Sequence, residues 1–219
     1  MVKRNASAGN PARVAAPMRE PLASPRHPSM STRMSIAAIT LSLPDWIAGE
    51  FDPALVHAGD EARVALAIRL ARRNVELGTG GPFGAAVFDA DGRVVAVGVN
   101  RVVAESCSVA HAEMMAIMGA QTRLRRHRHN ENGKRYMLAT SAQPCCQCYG
   151  ASFWAGIDEL LIGARASDVM ELSEFDEGPL PSDWAGELER RGIAVRRDIL
   201  RDEAREVFHL YARAGGASY

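Results

Sequence analysis

The sequence predicts an α/β protein, a three-layer α/β/α sandwich built on a mixed five-stranded sheet. Two apolar segments are joined by Ala90-Asp91-Gly92, which has the residue types of a β-hairpin turn. Beyond this hairpin, strand-like and helix-like segments alternate, and this alternation is typical of helices packed on both faces of one sheet. Apolar residues make up 47% of the chain, which is enough for a substantial core.

The elements follow one another in a regular order. The first helix is predicted over residues 60–77, with Asp60 as its N-cap and Gly78 ending it. Strands are predicted at residues 85–89, 93–99, 136–140, 159–163 and 193–197. Further helices are predicted at residues 109–124, 145–155, 166–172, 183–191 and 201–213. Ligands of such sheets bind near the carboxyl ends of strands.

The first part of the chain differs from the rest in composition. Residues 1–42 contain six basic side chains, a single acid and several prolines, so we expect a disordered extension before a folded domain at residues 43–219. An arginine-rich, acid-poor leader resembles an organelle transit peptide. However, its prolines would interrupt an amphipathic helix, so a non-functional extension or a mis-assigned start is preferred.

Composition excludes some classes of function. The 26 basic and 26 acidic side chains balance, which argues against a protein whose main task is to hold a polyanion. Four cysteines are too few for a disulfide framework, so we expect a reducing compartment, the cytoplasm. No apolar run approaches the roughly 20 residues of a membrane-spanning helix.

Two short motifs carry the chemistry: His111-Ala112-Glu113 and Pro144-Cys145-Cys146-Gln147-Cys148. Cys145 and Cys148 are three residues apart, so they share one face of a helix. With His111 they form a three-ligand set for zinc, and a catalytic zinc keeps three protein ligands and a water. Cys146 points elsewhere on the helix, as a small buried apolar side chain.

Glu113 is predicted to be a proton carrier. Neighbours two residues apart do not face the same way on a helix, so Glu113 is a poor fourth ligand. Zinc lowers the pKa of a bound water to about 7, and a carboxylate beside it can take the proton and pass it to a substrate. A structural zinc knuckle, or reduced core cysteines with a surface glutamate, are the alternatives at this point.

Over roughly residues 45–215 the chain resembles the cytidine-deaminase-like superfamily, whose zinc signature is His-x-Glu followed by Pro-Cys-x-x-Cys. Within it, the chain is similar to bacterial guanine deaminases and their nucleoside-deaminase relatives. The matching segments, in order, are Gly81-Pro82-Phe83-Gly84-Ala85, Asn100-Arg101-Val102, His111-Ala112-Glu113, Thr140-Ser141, Pro144-Cys145, Gly150-Ala151, Trp154 and Phe175-Asp176-Glu177-Gly178-Pro179.

The resemblance implies roles for individual residues. It implies zinc on His111, Cys145 and Cys148, with Glu113 as the proton shuttle. It also implies that Asn100 hydrogen-bonds the base, and that Asp176 or Glu177 is a second proton carrier. Relatives pair as dimers, so we expect a homodimer. Residues expected to contact the base are Phe83 as an apolar wall with Trp154 beside it, and the main chain near Gly84 and Ala85.

Several substrates remain open. The first is guanine or a related base such as cytosine or an aminotriazine, since pocket shape and edge hydrogen bonds decide the choice. A tRNA adenosine deaminase would need a basic groove, for which residues 123–135 are the candidate. A catalytically silent zinc-stabilised binding module is disfavoured by Glu113.

The chain departs from the family at one position. The family usually has Glu before Pro-Cys, whereas this sequence has Gln143. The sequence therefore does not determine whether the supporting interaction or subunit contact of that position is kept.

Overall fold

The structure, a computed structural model, describes residues 39–216. It contains five strands, six α-helices and two short 3-10 helices, Asp45–Gly49 and His129–Asn132. In chain order the main elements are α1 Gly59–Glu76, β1 Gly84–Asp89, β2 Val94–Val99, α2 Ala112–Leu124, β3 Tyr136–Ala142, α3 Cys146–Ala155, β4 Glu159–Ala164, α4 Ala166–Leu172, α5 Trp184–Glu189, β5 Ala194–Arg196 and α6 Arg201–Arg213. Residues 1–38 lie outside this range, so the disorder expected for residues 1–42 and the domain boundary stay predictions.

The strands form one mixed sheet in the order β2-β1-β3-β4-β5. β1 is antiparallel to both β2 and β3, whereas β3, β4 and β5 run parallel. The hairpin between β1 and β2 closes through hydrogen bonds from Asp89 N to Arg93 O and from Gly92 N to Asp89 O, each 3.0 Å long. The predicted fold class, a mixed five-stranded sheet with helices on both sides, is therefore confirmed.

Alternate residues of the strands face two separate cores. In β1, Ala86 and Phe88 pack into a core with α1, α4 and α6, whereas Ala85 and Val87 pack into a core with α2, α3 and α5. Successive side chains of a strand point to opposite faces, so a strand buried on both sides is apolar throughout. Within residues 39–216, none of the helices combines the length and apolar character needed to cross a bilayer.

Gly98 in β2 lets α2 approach the sheet closely. A Cβ at this position would lie only 2.1 Å from the carbonyl oxygen of Ala112 and 2.5 Å from the nitrogen of Ala116. Any other residue would therefore push the start of α2 away from the sheet. This contact matters for function because His111 lies immediately before α2.

The prediction that Asp60 is the N-cap of the first helix is wrong. α1 starts one residue earlier, at Gly59, and its N-cap is Ala58 with no capping side chain. Asp60 lies inside the first turn, where a carboxylate is favourable at the positive end of the helix dipole. There it pairs with Arg63 at 3.4 Å and with Arg196 at 2.6 Å.

A buried carboxylate ties α4 to α6. Asp168 is only 1% exposed, and Arg201 donates two hydrogen bonds to it, at 2.7 and 2.6 Å. Arg205 and the main-chain N–H of Arg165 also donate to this carboxylate. The hydrogen bonds from Arg201, above all, hold the pKa of Asp168 well below its usual range. These contacts fix α4 in place. The segment that follows α4 lines the cavity of the candidate active site.

We predict that Asp168→Asn lowers the free energy of unfolding by about 2–3 kcal/mol, because two arginines lose their charged acceptor. Urea unfolding followed by circular dichroism measures this change. The control is Glu171→Gln, which removes an exposed partner of Arg205 and should cost less than about 1 kcal/mol. Equal stability of Asp168→Asn and the unaltered protein would contradict the structural role of this network.

Candidate active site

The three predicted metal ligands meet at the amino ends of two helices. His111 is the N-cap of α2, Cys145 is the N-cap of α3, and Cys148 lies in the first turn of α3. Their donor atoms all lie within 4.8 Å of one another. His111 Nδ1 is 3.5 Å from Cys145 Sγ and 3.7 Å from Cys148 Sγ.

These separations fit zinc. Tetrahedral coordination, with zinc–sulfur bonds of about 2.3 Å and zinc–nitrogen bonds of about 2.0 Å, places the sulfur and nitrogen donors about 3.5 Å apart. The donor set of one imidazole and two thiols is also of a kind that zinc prefers. The donor atoms of His111, Cys145 and Cys148 are therefore spaced to hold one zinc ion with three protein ligands.

The helix ends favour the thiolate form of Cys145. Both helices direct main-chain N–H groups and the positive end of their dipoles towards the site, which stabilises a thiolate. Hydrogen bonding with Cys148, followed by that with His111, lowers the pKa of Cys145 to about 4. Hydrogen bonding with Cys145 also raises the pKa of His111.

Glu113 lies beside the ligands but outside the ligand cluster. It is the second residue of α2, and its side chain is buried. Burial is the main cause that raises its pKa, followed by the neighbouring charge of Cys145. Its Oε1 lies 3.5 Å from the hydroxyl oxygen of Thr140. A buried carboxyl group next to a metal site is well suited to take and release protons.

Two of the three ligands, His111 and Cys145, line a cavity of about 320 Å³. This volume lies in the range of small-molecule sites. The polar lining consists of Asn100, Ser108, His111, Glu113, Gln143, Cys145, Glu174, Asp176 and Glu177, and the apolar lining of Phe83, Val102 and Phe175. Four of the twelve lining residues are carboxylic acids, and none is lysine or arginine, so the cavity suits a neutral or cationic molecule better than a phosphorylated one.

One short segment closes the cavity. Residues 174–177, which follow α4, contribute four consecutive lining residues: Glu174, Phe175, Asp176 and Glu177. Phe175 meets Phe83 edge to face with ring centroids 5.3 Å apart, and Phe83 packs in the same way on Phe208 of α6. Burial, followed by the charge of Glu113, raises the pKa of Glu177 to about 8. The cavity therefore has one buried acid, Glu113, and one half-buried acid, Glu177, near the metal ligands.

Asn100 presents a hydrogen-bond donor to the cavity. Its Oδ1 accepts a 3.2 Å hydrogen bond from the main-chain N–H of Val102, which determines the orientation of its amide. Its Nδ2 makes no hydrogen bond to any residue in the described part of the chain. The main chain of Asn100 is itself held by Asn74, whose Nδ2 donates to Asn100 O at 3.0 Å.

Three residues expected to contact the base do not line the cavity. Gly84 and Ala85 are buried in β1: the N–H of Gly84 donates to Ser141 Oγ at 3.1 Å, and Ala85 is paired with Gly98 and Thr140. Trp154 is 73% exposed on α3 and packs edge to face on Phe153. The structure therefore places these three residues outside the cavity lining, because strand pairing consumes the main chain of β1 and the outer face of α3 points away; their contact with a base stays a prediction.

Five lining residues were not singled out from the sequence as site residues: Val102, Ser108, Gln143, Glu174 and Phe175. Phe175 and Val102 lie in segments that resemble the guanine deaminases, and that resemblance was the sequence signal that could have identified them as site residues. Gln143 is 9% exposed, and its Oε1 accepts a long hydrogen bond of 3.4 Å from Ala166 N at the start of α4. Its amide therefore links the metal motif to the helix that carries the closing segment.

A family model, a curated relative and two solved structures are similar to this chain. The family described by the cytidine and deoxycytidylate deaminase zinc-binding region matches residues 58–164. The guanine deaminase of Bacillus subtilis (strain 168) is 36% identical over 111 residues, which are 51% of this chain and 67% of that protein. The guanine deaminase of Nitrosomonas europaea has a solved structure that is 40% identical and aligns with a TM-score of 0.76 over 80% of this chain and 97% of that chain. A variant of the protein NE0047, solved in complex with 8-azaguanine, is 40% identical, with a TM-score of 0.77 over 82% of this chain and 98% of that chain.

We predict that Cys148→Ala reduces bound zinc from one ion per chain to a small fraction, because two donors cannot replace three.

We also predict that Glu113→Gln keeps its zinc and its fold, whereas its turnover rate falls by on the order of 10²–10⁴-fold, the usual loss when a positioned acid–base group is removed. Metal analysis of the purified proteins by plasma mass spectrometry, together with ammonia release, measures both effects. Loss of zinc from Glu113→Gln would place this side chain among the ligands and contradict the assignment.

Proposed function

This chain belongs to the cytidine and deoxycytidylate deaminase family of zinc-dependent aminohydrolases, and on that premise we propose that it hydrolyses guanine to xanthine and ammonia. Relatives at 36% and 40% identity are guanine deaminases, and one structural neighbour holds a guanine analogue. Together these similarities favour a free purine base as the substrate, and a role for the chain in purine metabolism follows from that substrate.

The observation that carries this proposal is the meeting of two acids and the metal ligands in one cavity. Glu113, Glu177, His111 and Cys145 all line the same space of about 320 Å³. Hydrolytic loss of an amine requires a water to be deprotonated, a ring nitrogen to be protonated and the leaving amine to be protonated. Two acids that exchange protons at different points serve these needs better than one.

We assign the proton transfers as follows. Bound to His111, Cys145 and Cys148, zinc would lower the pKa of a water and so supply the nucleophile at neutral pH. Glu113 accepts the proton of that water and delivers it to the ring nitrogen next to the amine-bearing carbon. Glu177 donates a proton to the departing amine while Glu113 takes the second proton of the attacking water as the carbonyl forms, so the net change is the transfer of one proton to the amine and one to the ring nitrogen. The burial that raises the pKa of Glu177 favours its protonated, donating form.

Asn100 and Phe83 orient the base in this proposal. The Nδ2 group of Asn100 donates to a carbonyl or ring-nitrogen acceptor on the edge of the base. The ring of Phe83 supplies an apolar surface against which a planar base packs, and Phe208 and Phe175 hold that ring in place. Asp176 lines the same cavity. Its carboxylate accepts a hydrogen bond from Gly178 N, which stabilises the turn at residues 176–178.

We predict that guanine is hydrolysed with a kcat/KM at least about 100-fold above that of cytosine, adenine or adenosine, because a base that does not pair with the buried polar groups of the site leaves them without hydrogen bonds. Ammonia release from the purified protein with guanine, adenine, cytosine, their nucleosides, an aminotriazine and tRNA measures this ratio. A preference for cytosine, or turnover of tRNA alone, would replace the proposed substrate.

We predict that Glu177→Gln lowers kcat by on the order of 10²-fold while changing KM less than about threefold, because a leaving-group proton donor acts in the transition state. Steady-state kinetics with guanine separates the two constants. Glu171→Gln, on the exposed surface of α4, is the matched control and should behave like the unaltered enzyme. If Glu177→Gln instead keeps its kcat, the second proton donor must be sought elsewhere in the cavity.

We further propose that the chain forms a homodimer and works in the cytoplasm. Trp154 and Phe153 place a large aromatic surface on the outer face of α3, and exposed aromatic side chains are enriched at protein interfaces. The four cysteines are free thiols, and zinc thiolates persist in a reducing compartment. Sedimentation velocity at micromolar concentration should show a dimer for the unaltered chain and a monomer for Trp154→Lys; a monomer in both cases would contradict the interface.

A further inference from the structure

Cys146 contacts the segment that closes the cavity. Its main-chain N–H donates a 2.8 Å hydrogen bond to the carbonyl oxygen of Glu177. Cys146 is the first residue of α3, directly after the zinc ligand Cys145. The start of the zinc helix is therefore bonded to the residue that we propose as the second proton donor.

This hydrogen bond follows from the geometry of the helix end. The first N–H groups of an α-helix have no partner within the helix and are usually capped by the side chain of the N-cap residue. The N-cap of α3 is Cys145, which makes no capping hydrogen bond. The N–H of Cys146 is instead satisfied by Glu177 O.

The side chain of Cys146 also supports the turn. Gly178 has a φ of 66°, a conformation that other residues rarely adopt, and a Cβ on it would lie 2.8 Å from Cys146 Sγ. The N–H of Gly178 donates to the side chain of Asp176 within the same turn. Residues 176–178 are thus packed on Cys146 and shaped to fit against it.

The anchoring of the closing segment is uneven. At one end, Phe175 packs on Phe83 and stacks on Tyr211, with ring centroids 5.3 and 6.0 Å away. Beyond Phe175, the hydrogen bond from Cys146 N to Glu177 O is the one that joins residues 176–179 to the rest of the fold, within residues 39–216. The placement of Glu177 therefore depends on Cys146 more than on any other hydrogen-bonding partner described.

We propose that Cys146 is a positioning residue, whose main-chain N–H and sulfur hold Glu177 and its turn against the zinc helix. The proposal rests on the proposed function for the catalytic consequence, since Glu177 must act on the substrate. The structural part stands independently: the turn at residues 176–178 should loosen when this one hydrogen bond is removed.

Cys146→Pro removes the N–H with little disturbance of the backbone. Cys146 is the first helical position, which is where proline is best tolerated in a helix. The preceding residue, Cys145, already has φ −68° and ψ 175°, the extended conformation that a following proline requires. Cys146→Ala keeps the N–H and removes only the sulfur, so it is the matched control.

The first experiment compares hydrogen–deuterium exchange and kinetics of the zinc-loaded variants. In Cys146→Pro, amides of residues 174–180 should exchange about tenfold faster, with zinc still at one ion per chain. For guanine, kcat should fall about three- to tenfold with KM changed less than about twofold. Cys146→Ala should show smaller losses in both measurements. Equal exchange in Cys146→Pro and the unaltered enzyme would overturn the proposal.

The second experiment tests the contact of the sulfur with Gly178. Gly178→Ala should lower kcat, because the new Cβ collides with Cys146 Sγ. With the sulfur removed, the nearest atom is Cys146 Cβ at 3.6 Å, an ordinary contact. The double variant Cys146→Ala with Gly178→Ala should therefore recover part of the lost kcat, although the strained φ remains. A double variant no better than Gly178→Ala alone would overturn the contact between Cys146 and Gly178.

The two proposals can fail separately. If Glu177→Gln leaves kcat unchanged, the catalytic role of Glu177 fails, yet faster exchange at residues 174–180 in Cys146→Pro still supports the anchoring. If exchange is unchanged in Cys146→Pro while Glu177→Gln is inactive, the proton donor stands and the anchoring by Cys146 fails.

Discussion

The convergence of two helix amino ends on one donor cluster is the constraint on which the rest of the structure depends. His111 and Cys145 are the N-cap residues of α2 and α3, so each helix begins at the metal site. Their N–H groups and dipoles offset part of the cost of holding thiolates together, and bound zinc would offset the rest. The sheet makes this arrangement possible. β2 and β3 end at the same edge of the sheet, so the loops that follow them place the starts of α2 and α3 side by side there.

Close packing brings the helices to that edge. At Gly98 the start of α2 lies almost in contact with the backbone of β2, and at Gly84 the space next to β1 is filled by Ala67 and Ala71 of α1. Without these approaches the donor atoms would be separated by more than a zinc ion can span, since metal–ligand distances vary by only about 0.2 Å. The distances between the metal donors therefore depend on how closely the helices pack on the sheet.

The closing segment depends on interactions far from the metal. Asp168 and its arginines fix α4 to α6, and α6 in turn supplies Phe208, which supports Phe83. Glu177 lies in a low-dielectric space beside Glu113, where both carboxyl groups have raised pKa values. Such an arrangement costs stability, because buried acids are held away from water. The fold tolerates this cost at a site where protons have to be exchanged.

The class of chemistry and the order of the elements could be predicted from motifs and local patterns in the sequence. Ligand spacing depends on the helical period, and strand alternation depends on the pleat, so both are local properties that can be read from neighbouring residues. For this reason Cys145 and Cys148 were correctly placed at the start of one helix, and the strands and helices lie within three residues of their expected bounds. The meeting of His111 with these cysteines was predicted from the zinc signature, not from local spacing, and the three donor groups do meet.

Which residues line the cavity depends on contacts between distant parts of the chain. Gly84, Ala85 and Trp154 belong to matching segments, but strand pairing uses the first two and the outer face of α3 exposes the third. Conversely, Glu174 lines the cavity and Cys146 contacts Glu177, although nothing in their local sequence distinguishes them. Gln143 was noted as a departure from the family, but that departure did not indicate that its side chain lines the cavity. These contacts join residues roughly 30 positions apart in the chain, and such pairs are set by how helices and loops pack, which no local pattern encodes.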